Sequence, residues 1–378
     1  MQTDPKAAFF LTCLFPFKAQ KILKNMSKSM RAYLYRSYGG PDVMQLATVP
    51  VPSAAPKAGY LIKIHAFSFN PIDFKRRSGA LKALSPDTFP VILGYDASGT
   101  VEAVGEGASK FKVGDEVYLR IGQEFSQQGT AAEYTIALEK YVAAKPSNMS
   151  HEEAAAVPLA AVTALQMLRR AGFKAGDKVF ISGGAGGVGT YAIQIAKALG
   201  ASLVATSASS AKIPLLQSLG ADEVVDYKTT KFAEVYKDRR FDIALDMTAE
   251  CLDLFKVVKP GGSVVSVVIA FSKESWTEAG KQGPGCEDLP SPGLFVRLFL
   301  WLSSRSLYNA ASSASLSLYG VLLQPNALNL EELTKLVETG KLRSIIKDQV
   351  FTGVDASPEA FKLCESGRAT GKIIVKVV

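Results

Sequence analysis

Five glycines within seven residues, enclosed by two apolar runs, are the clearest sign of chemistry in this chain. They are Gly183, Gly184, Gly186, Gly187 and Gly189. The apolar run before them predicts a strand, and the apolar spacing after them predicts a helix. In that context G-x-G-x-x-G is a dinucleotide-binding fingerprint, with an ordinary glycine-rich turn as the alternative. The backbone N–H groups of Gly187, Val188 and Gly189 would open the helix and bind a pyrophosphate.

The next predicted strand ends in residues that select the cofactor. Thr206 and Ser207 are followed by further hydroxyls and Lys212, with no Asp or Glu among them. An acid at this place usually binds the 2′-hydroxyl of NAD, whereas hydroxyls and a lysine suit a 2′-phosphate. The sequence therefore predicts NADPH, although Lys212 could also be an exposed helix lysine.

The chain lacks the residues of a zinc site. No cysteine lies between Cys13 and Cys251, and the two histidines are His65 and His151. Neither histidine has a cysteine nearby, and one histidine alone cannot supply the three protein ligands that zinc needs. We therefore predict no metal.

Composition limits the class of protein. A length of 378 residues suggests roughly two domains, and 48% hydrophobic residues are ample for folded cores. The net charge is +8, and residues 1–29 carry five lysines against one acid, so half of the excess lies there. The remaining charge is too dilute to predict a nucleic-acid partner.

Residues 1–29 differ from the rest of the chain. An apolar patch is followed by lysines, as in some mitochondrial transit peptides, but arginine is missing. A transit peptide, an untargeted disordered tail and a start at Met30 remain open. The expected location is accordingly cytoplasmic or mitochondrial.

The remainder predicts two domains. Short β-type runs separated by turn signals indicate a small barrel over residues 30–148, and Ser150 with Glu153 then forms a capping-box pattern. Strands and helices alternate afterwards, which indicates an α/β doubly wound parallel sheet over residues 149–341. Residues 342–378 return to β character and to the first domain. Residues 272–302 look like an insertion.

Several motifs together resemble the zinc-free quinone oxidoreductase branch of the medium-chain dehydrogenase/reductase superfamily. They are Phe69-Asn70-Pro71-Ile72-Asp73-Phe74-Lys75, Gly94-Tyr95-Asp96-Ala97-Ser98-Gly99, the fingerprint, residues 219–227 and Ala369-Thr370-Gly371-Lys372. Within that branch the chain is similar to enone/alkenal reductases and chloroplast-envelope quinone oxidoreductase homologues. The resemblance implies a GroES-like catalytic barrel and a Rossmann domain.

The resemblance also implies roles for individual residues. Lys75 would face the nicotinamide end, Asn70 would hydrogen-bond nearby, and Tyr95 would line the pocket or donate a proton. Tyr227 would complete the 2′-phosphate subsite. The structural alternatives are that Lys75 is a surface lysine, Asn70 a turn residue and Tyr95 a core aromatic. Tyr227 could instead pack at the end of a strand. Further cofactor contacts are expected beyond the strand ends and after Pro158, from Thr163, Met247 and Val268.

The resulting hypothesis is an NADPH-dependent, zinc-independent reductase of quinones or α,β-unsaturated carbonyls. The alternatives are an enoyl-thioester reductase, or an NADPH-binding regulatory or RNA-binding protein without turnover. A monomer or a homodimer is expected, with residues 263–268 as a candidate edge strand. The apolar residues 294–302 predict a buried or interface helix, with peripheral membrane contact as the alternative.

Overall fold

The computed structural model describes residues 28–122, 128–238, 240–268, 293–346 and 350–377. Most of the predicted N-terminal extension, 1–27, and residues 272–292 of the predicted insertion therefore lie outside the described residues. The strands are β1 (Ser29–Tyr35), β2 (Met44–Pro50), β3 (Gly59–Phe69), β4 (Val91–Ile92), β5 (Asp96–Val104), β6 (Glu116–Arg120), β7 (Tyr134–Leu138), β8 (Val142–Ala144), β9 (Lys178–Ile181), β10 (Leu203–Ala208), β11 (Glu223–Asp226), β12 (Phe241–Asp246), β13 (Val258–Ser266), β14 (Ser317–Gly320), β15 (Val350–Thr352) and β16 (Ile373–Lys376). The α-helices are α1 (Pro71–Arg77), α2 (His151–Ala156), α3 (Pro158–Arg170), α4 (Gly187–Ala198), α5 (Ile213–Ser218), α6 (Phe232–Val235), α7 (Cys251–Val257), α8 (Leu294–Ser313), α9 (Ala327–Glu338) and α10 (Ser357–Glu365).

The β-rich part contains a three-stranded and a seven-stranded sheet. The larger sheet runs β15-β16-β3-β5-β6-β8, with β7 also paired to β3, and the smaller runs β2-β1-β4. The central strand β3 is buried along most of its length because three other strands pair with it. One of these is β16, so the last strand of the chain completes the sheet that the first hundred residues begin.

The second part is a doubly wound parallel sheet. Its order, β11-β10-β9-β12-β13-β14, is that of a Rossmann fold, and the predicted fold class is confirmed. Helix α2 begins with the predicted capping box, in which Ser150 Oγ accepts from the Glu153 N–H and the Glu153 carboxylate accepts from the Ser150 N–H.

The predicted edge strand over residues 263–268 is wrong. Strand β13 pairs with β12 on one side and with β14 on the other, so it lies inside the sheet. The error arises because β14 is a short strand after a long connection, and sequence periodicity does not reveal which neighbour it joins. The edge is β14.

Helix α8 is longer than the apolar run 294–302 from which it was predicted, and part of that run is exposed. It has 20 residues, and Leu294, Leu298, Trp301 and Leu302 are 75%, 51%, 43% and 59% exposed. These four side chains are not buried within the chain, so of the two predicted forms only the interface helix fits them, and that form stays a prediction. Across the ranges that the structure describes, no helix is long and apolar enough to cross a membrane.

Candidate functional site

The fingerprint glycines form a tight loop between β9 and α4. A Cβ on Gly184 would lie 2.1 Å from Thr206 Oγ1, and one on Gly189 would lie 2.4 Å from the Gly183 carbonyl oxygen. Neither position has room for a side chain, since both close contacts involve atoms that the sheet or the loop holds in place. The loop therefore needs glycine for packing as well as for backbone freedom.

The start of α4 presents N–H groups that the helix itself does not use. Gly186 is the N-terminal cap residue, and Gly187, Val188 and Gly189 form the first turn. The first N–H groups of a helix lack partners within it and carry its positive dipole end. Gly186, Gly187 and Val188 are partly exposed. This surface fits the pyrophosphate of a dinucleotide.

The residues predicted for the 2′-phosphate subsite lie at the ends of β10 and β11. Ser207 is buried, and its Oγ accepts a hydrogen bond of 3.3 Å from the Gly183 N–H, so it holds the fingerprint loop. Lys212 donates to Thr370 Oγ1. Tyr227 is 59% exposed beyond β11. The sequence reasoning missed Asp226, whose carboxylate accepts from the Ser210 N–H and adds negative charge at the same edge.

A C-terminal segment connects the fingerprint loop to the barrel. The Gly371 N–H donates to the Ala185 carbonyl oxygen at 2.9 Å, and Gly371 forms an isolated β-bridge with Gly186. Gly371 has a φ of 67°, and a Cβ there would lie 2.0 Å from the Ile345 carbonyl oxygen. Only glycine fits this crossing point, which brings Thr370 and Lys372 against the loop.

Lys372 lies in a buried polar cluster at the barrel side of this crossing. The lysine is 4% exposed, donates to Asn70 Oδ1 and lies 3.5 Å from Asp96 Oδ2. Asn70 Nδ2 donates to the same carboxylate oxygen at 3.0 Å, and the Ser68 hydroxyl donates to it at 3.1 Å. Burial raises the pKa of Asp96, while the Lys372 charge and these donors oppose the rise. We name these four side chains the lysine cluster.

A second buried carboxylate, Asp73, holds Asn70 in position. Its two oxygens accept from the Asn70 N–H at 2.7 Å and the Gly94 N–H at 3.0 Å. Burial raises the pKa of Asp73 to about 7, and the two N–H donors act in the opposite direction. Asp73 therefore ties the Asn70 motif to the Gly94-Tyr95-Asp96 motif.

Tyr95 lies in a core environment. It is 2% exposed, and its hydroxyl accepts a 3.2 Å hydrogen bond from Arg76 Nη1. The Arg120 guanidinium carbon lies 4.6 Å from the centre of its ring. Burial raises the pKa of Tyr95, and the neighbouring arginines oppose that rise. This geometry favours the core-aromatic interpretation, in which Tyr95 separates two buried arginines.

Lys75 lies apart from the lysine cluster. Its side chain is exposed on α1, and the cation that reaches Asn70 is Lys372. Sequence reasoning missed Lys372 and Asp96 as site residues. The available signal was their presence in the two motifs Gly94–Gly99 and Ala369–Lys372, each of which has a single charged residue.

Thr163, Met247 and Val268 occupy the expected places relative to the strands. Thr163 is buried in α3 and donates to the Leu159 carbonyl oxygen. Met247 follows β12 directly and Val268 lies just beyond β13, so both are at carboxyl ends of parallel strands. Val268 is 47% exposed. Their contacts with a nicotinamide remain a prediction.

The residues do not fit a zinc ion. His65 and His151 stack face to face, with ring centres 4.3 Å apart, and hydrogen-bond to Thr100 and Ser98. In the described part of the chain, no group of three or more His, Cys, Asp or Glu side chains could hold a metal. The side chains at the barrel site are instead a lysine and an aspartate of opposite charge and a neutral asparagine that hydrogen-bonds to both.

A GroES-like barrel joined to a Rossmann sheet, with a phosphate-binding loop at their junction, defines a dinucleotide-dependent dehydrogenase or reductase. Family models agree, since residues 56–147 match the alcohol dehydrogenase GroES-like domain and residues 219–375 match "zinc-binding dehydrogenase". The chain belongs to the medium-chain dehydrogenase/reductase superfamily, which confirms the predicted superfamily.

Individual relatives are similar over nearly the whole chain. A tomato (Solanum lycopersicum) 2-methylene-furan-3-one reductase is 36% identical, covering 93% of this chain and 80% of the relative. An Arabidopsis thaliana NADPH-dependent alkenal/one oxidoreductase is 33% identical with the same coverage. The solved structure of a quinone oxidoreductase from Coxiella burnetii is 32% identical, with a TM-score of 0.76, covering 93% of this chain and all of that one.

Replacing Lys372 by Met should lower the free energy of unfolding by about 3–5 kcal/mol, because it leaves the buried Asp96 carboxylate without its cation. Urea unfolding measures this loss. Lys75→Met is the matched control and should have little effect, since Lys75 is exposed. The double variant Lys372→Met/Asp96→Asn should recover part of the loss. Equal stability of the two single variants would contradict the structural role of Lys372.

Proposed function

We propose that the protein is an NADPH-dependent, zinc-independent reductase of quinones or of the conjugated double bond of α,β-unsaturated carbonyls. The observation that carries this proposal is the direct contact between the fingerprint loop and the barrel through Gly371 and Lys372. That contact places a dinucleotide-binding loop beside a buried polar cluster that does not fit a metal. The similarity to named alkenal and quinone reductases supports the same class of substrate.

Bound NADPH would supply a hydride. Gly187, Val188 and Gly189 would hold its pyrophosphate with backbone N–H groups. Gly186, whose N–H donates to the Gly183 carbonyl oxygen, would line the same site as the helix cap, and Gly184 keeps the loop close to β10. Thr163, Met247 and Val268 would contact the nicotinamide side from the strand ends.

The barrel would hold the acceptor. Asn70 is fixed by three partners, namely Lys372, Asp96 and Asp73, so its position depends little on a bound ligand. Lys75 is exposed on α1 and would supply positive charge near the nicotinamide ribose or the acceptor. Tyr95 would support the pocket from the core, because its ring is buried between Arg76 and Arg120.

The proposed reaction is tested by NADPH oxidation with a quinone and with an alkenal, with and without a chelator. We expect turnover of at least one acceptor, no effect of the chelator, and a rate at least about tenfold lower in Lys75→Ala. Lys362→Ala, a variant of an exposed lysine on α10, is the control. A chelator-sensitive rate would reject zinc independence. An unchanged rate in Lys75→Ala would show that Lys75 is an ordinary surface lysine.

The same assay separates the alternatives. Turnover of an enoyl-thioester alone would favour an enoyl-thioester reductase. Tight NADPH binding without turnover of any acceptor would favour a regulatory or RNA-binding protein.

The 2′-phosphate subsite is tested by comparing cofactors. The variant Lys212→Ala/Tyr227→Phe should raise the Michaelis constant for NADPH by at least about tenfold, because two groups that would bind the phosphate are lost. The Michaelis constant for NADH should change little. Asp226→Asn should act in the opposite direction and improve NADPH binding, since it removes a negative charge beside Ser210. Equal effects on the two cofactors would contradict this assignment.

The exposed face of α8 would rest on an anionic membrane surface. Leu294, Leu298, Trp301 and Leu302 are exposed on neighbouring turns, and Arg305 lies over the Trp301 ring at 4.8 Å. The helix sequence contains two arginines and no acidic residue. An apolar stripe with tryptophan and arginine is typical of helices that lie in a bilayer interface.

Vesicle co-sedimentation tests this contact. The protein should bind vesicles containing phosphatidylglycerol more than vesicles of phosphatidylcholine alone. Leu298→Glu/Leu302→Glu should weaken binding at least about tenfold, because two apolar side chains can no longer be buried. Leu328→Glu, at an exposed leucine of α9, is the matched control. Concentration-dependent dimerisation that the double variant abolishes, without vesicle binding, would assign the face to a second copy instead.

Location and oligomeric state remain proposals. A cytoplasmic or mitochondrial location is the expectation, and relatives carry chloroplastic or mitochondrial names. A reporter fused to residues 1–29 tests whether that segment directs import. Light scattering on the purified protein distinguishes a monomer from a homodimer.

A further inference from the structure

Arg120 is a buried cation that forms no ion pair within the described chain, and burial lowers its pKa although the charges of Asp96 and Asp73 act in the opposite direction. It is the last residue of β6 and is 4% exposed. Its Nη1 donates to the Ile121 carbonyl oxygen at 2.8 Å, but its Nε is buried without a hydrogen-bond partner. Among the described residues, no carboxylate lies within ion-pair distance of its guanidinium. Burying a charge in this way is costly unless something compensates for it.

The neighbouring buried cations are compensated. Arg76 forms an ion pair with Asp87 at 2.6 Å, and Lys372 lies 3.5 Å from Asp96. Arg120 has instead the face of the Tyr95 ring. Among these three cations, the lack of an ion pair is therefore specific to Arg120, and it does not reflect a general shortage of carboxylates around the barrel site.

The sheet directs Arg120 toward the proposed site. In the antiparallel pair of β5 and β6, Arg120 is the register partner of Asp96. Side chains at directly opposite positions project from the same face of a sheet. The Asp96 carboxylate contacts Asn70 and Lys372 on that face. Arg120 therefore projects to the side of the sheet that carries the lysine cluster.

We propose that Arg120 is a catalytic residue whose Nε–H and positive charge receive the oxyanion that forms on the acceptor during reduction. This inference rests on the proposed function. When a hydride bonds to the electrophilic carbon, the electron pair of the conjugated system moves onto the acceptor oxygen. One proton from solvent then completes the saturated carbonyl or the hydroquinone.

Arginine suits this task because it stays ionised at physiological pH, although burial lowers the pKa of Arg120. It can stabilise negative charge without giving up a proton, as a metal ion does in other enzymes. The Asp96 and Asp73 carboxylates offset only part of the cost of its burial, and the negative charge that appears in the transition state would offset more of it.

Binding of a phenol tests the inference without turnover. A phenolate resembles the enolate or hydroquinone anion, and p-nitrophenol reports its ionisation by absorbance. With NADP⁺ present, the wild-type protein should bind p-nitrophenolate more tightly than the neutral phenol. Arg120→Met should weaken phenolate binding at least about tenfold and lower the turnover number about a hundredfold, as expected for loss of an oxyanion donor. Arg120→Lys should recover part of both, since it restores charge without the same donor geometry.

Arg170→Met is the matched control. Arg170 is also buried, and its guanidinium carbon lies 4.3 Å from the centre of the Tyr319 ring. It should leave phenolate binding unchanged. Thermal unfolding gives a second readout, because removing a buried cation that forms no ion pair should leave the melting temperature equal or higher. An Arg120→Met protein that melts earlier and keeps its phenolate preference would overturn the inference and make Arg120 a structural residue.

The outcomes also separate this inference from the proposed function. If the wild-type protein reduces quinones or alkenals and Arg120→Met does so equally well, Arg120 is not the oxyanion receptor and the proposed function stands. If the wild-type protein binds phenolate through Arg120 but reduces no acceptor, the anion site stands and the proposed reaction fails.

Discussion

The ion pair between Lys372 and Asp96 is the interaction on which the site depends. Both groups are buried, so each needs the other to remain charged at low cost. Asn70 bonds to both, and Gly371, the residue before Lys372, contacts the fingerprint loop. A single lysine therefore connects the chemistry of the barrel to the phosphate end of the Rossmann sheet. Its backbone position is fixed by a glycine that no other residue could replace without a clash.

Several buried charged side chains surround the site in the barrel. The three cations Arg76, Arg120 and Lys372 lie near three carboxylates, and two of the cations are paired directly. Burial raises the pKa of both Asp73 and Asp96. Such a site can change its net charge by one proton on Asp73 near neutral pH. In a medium-chain reductase without fitting zinc ligands, this polar network is the available source of a strong local field.

The sequence was most informative where a residue type has one physical use. The fingerprint glycines predicted a strand, a tight loop and a helix start, and the structure shows that two of them have no room for a Cβ. The capping box at Ser150 was equally local. The lysine cluster was not predictable, because it joins residues three hundred positions apart. Lys75 was the candidate cation because the resemblance places it at the nicotinamide end, whereas the return of the C-terminal segment that brings Lys372 to Asn70 was not visible in the sequence.

Pairing between distant strands also explains the wrong edge strand. Residues 263–268 are apolar and short, which fits either an edge or an interior strand, and only the location of β14 decides. Likewise, the apolar run at the start of α8 suits a buried helix or an exposed apolar face. Hydrophobicity alone does not distinguish these two kinds of helix. A buried helix removes its apolar side chains from water within the chain, and an exposed apolar face does so when it binds a partner surface.

The pairing of β16 with β3 has a consequence for how the chain is made. Residues 373–376 join residues 66–69, so an edge of β3 stays unpaired until residues 373–376 have been synthesised. Contacts of such long separation form slowly, and open strand edges favour association between chains. The Rossmann sheet, in contrast, is contained within one central segment and can fold earlier. A newly made chain would therefore pass through an intermediate in which the Rossmann sheet is folded and the barrel sheet still has an unpaired strand edge. Such aggregation-prone intermediates are the kind that chaperones protect.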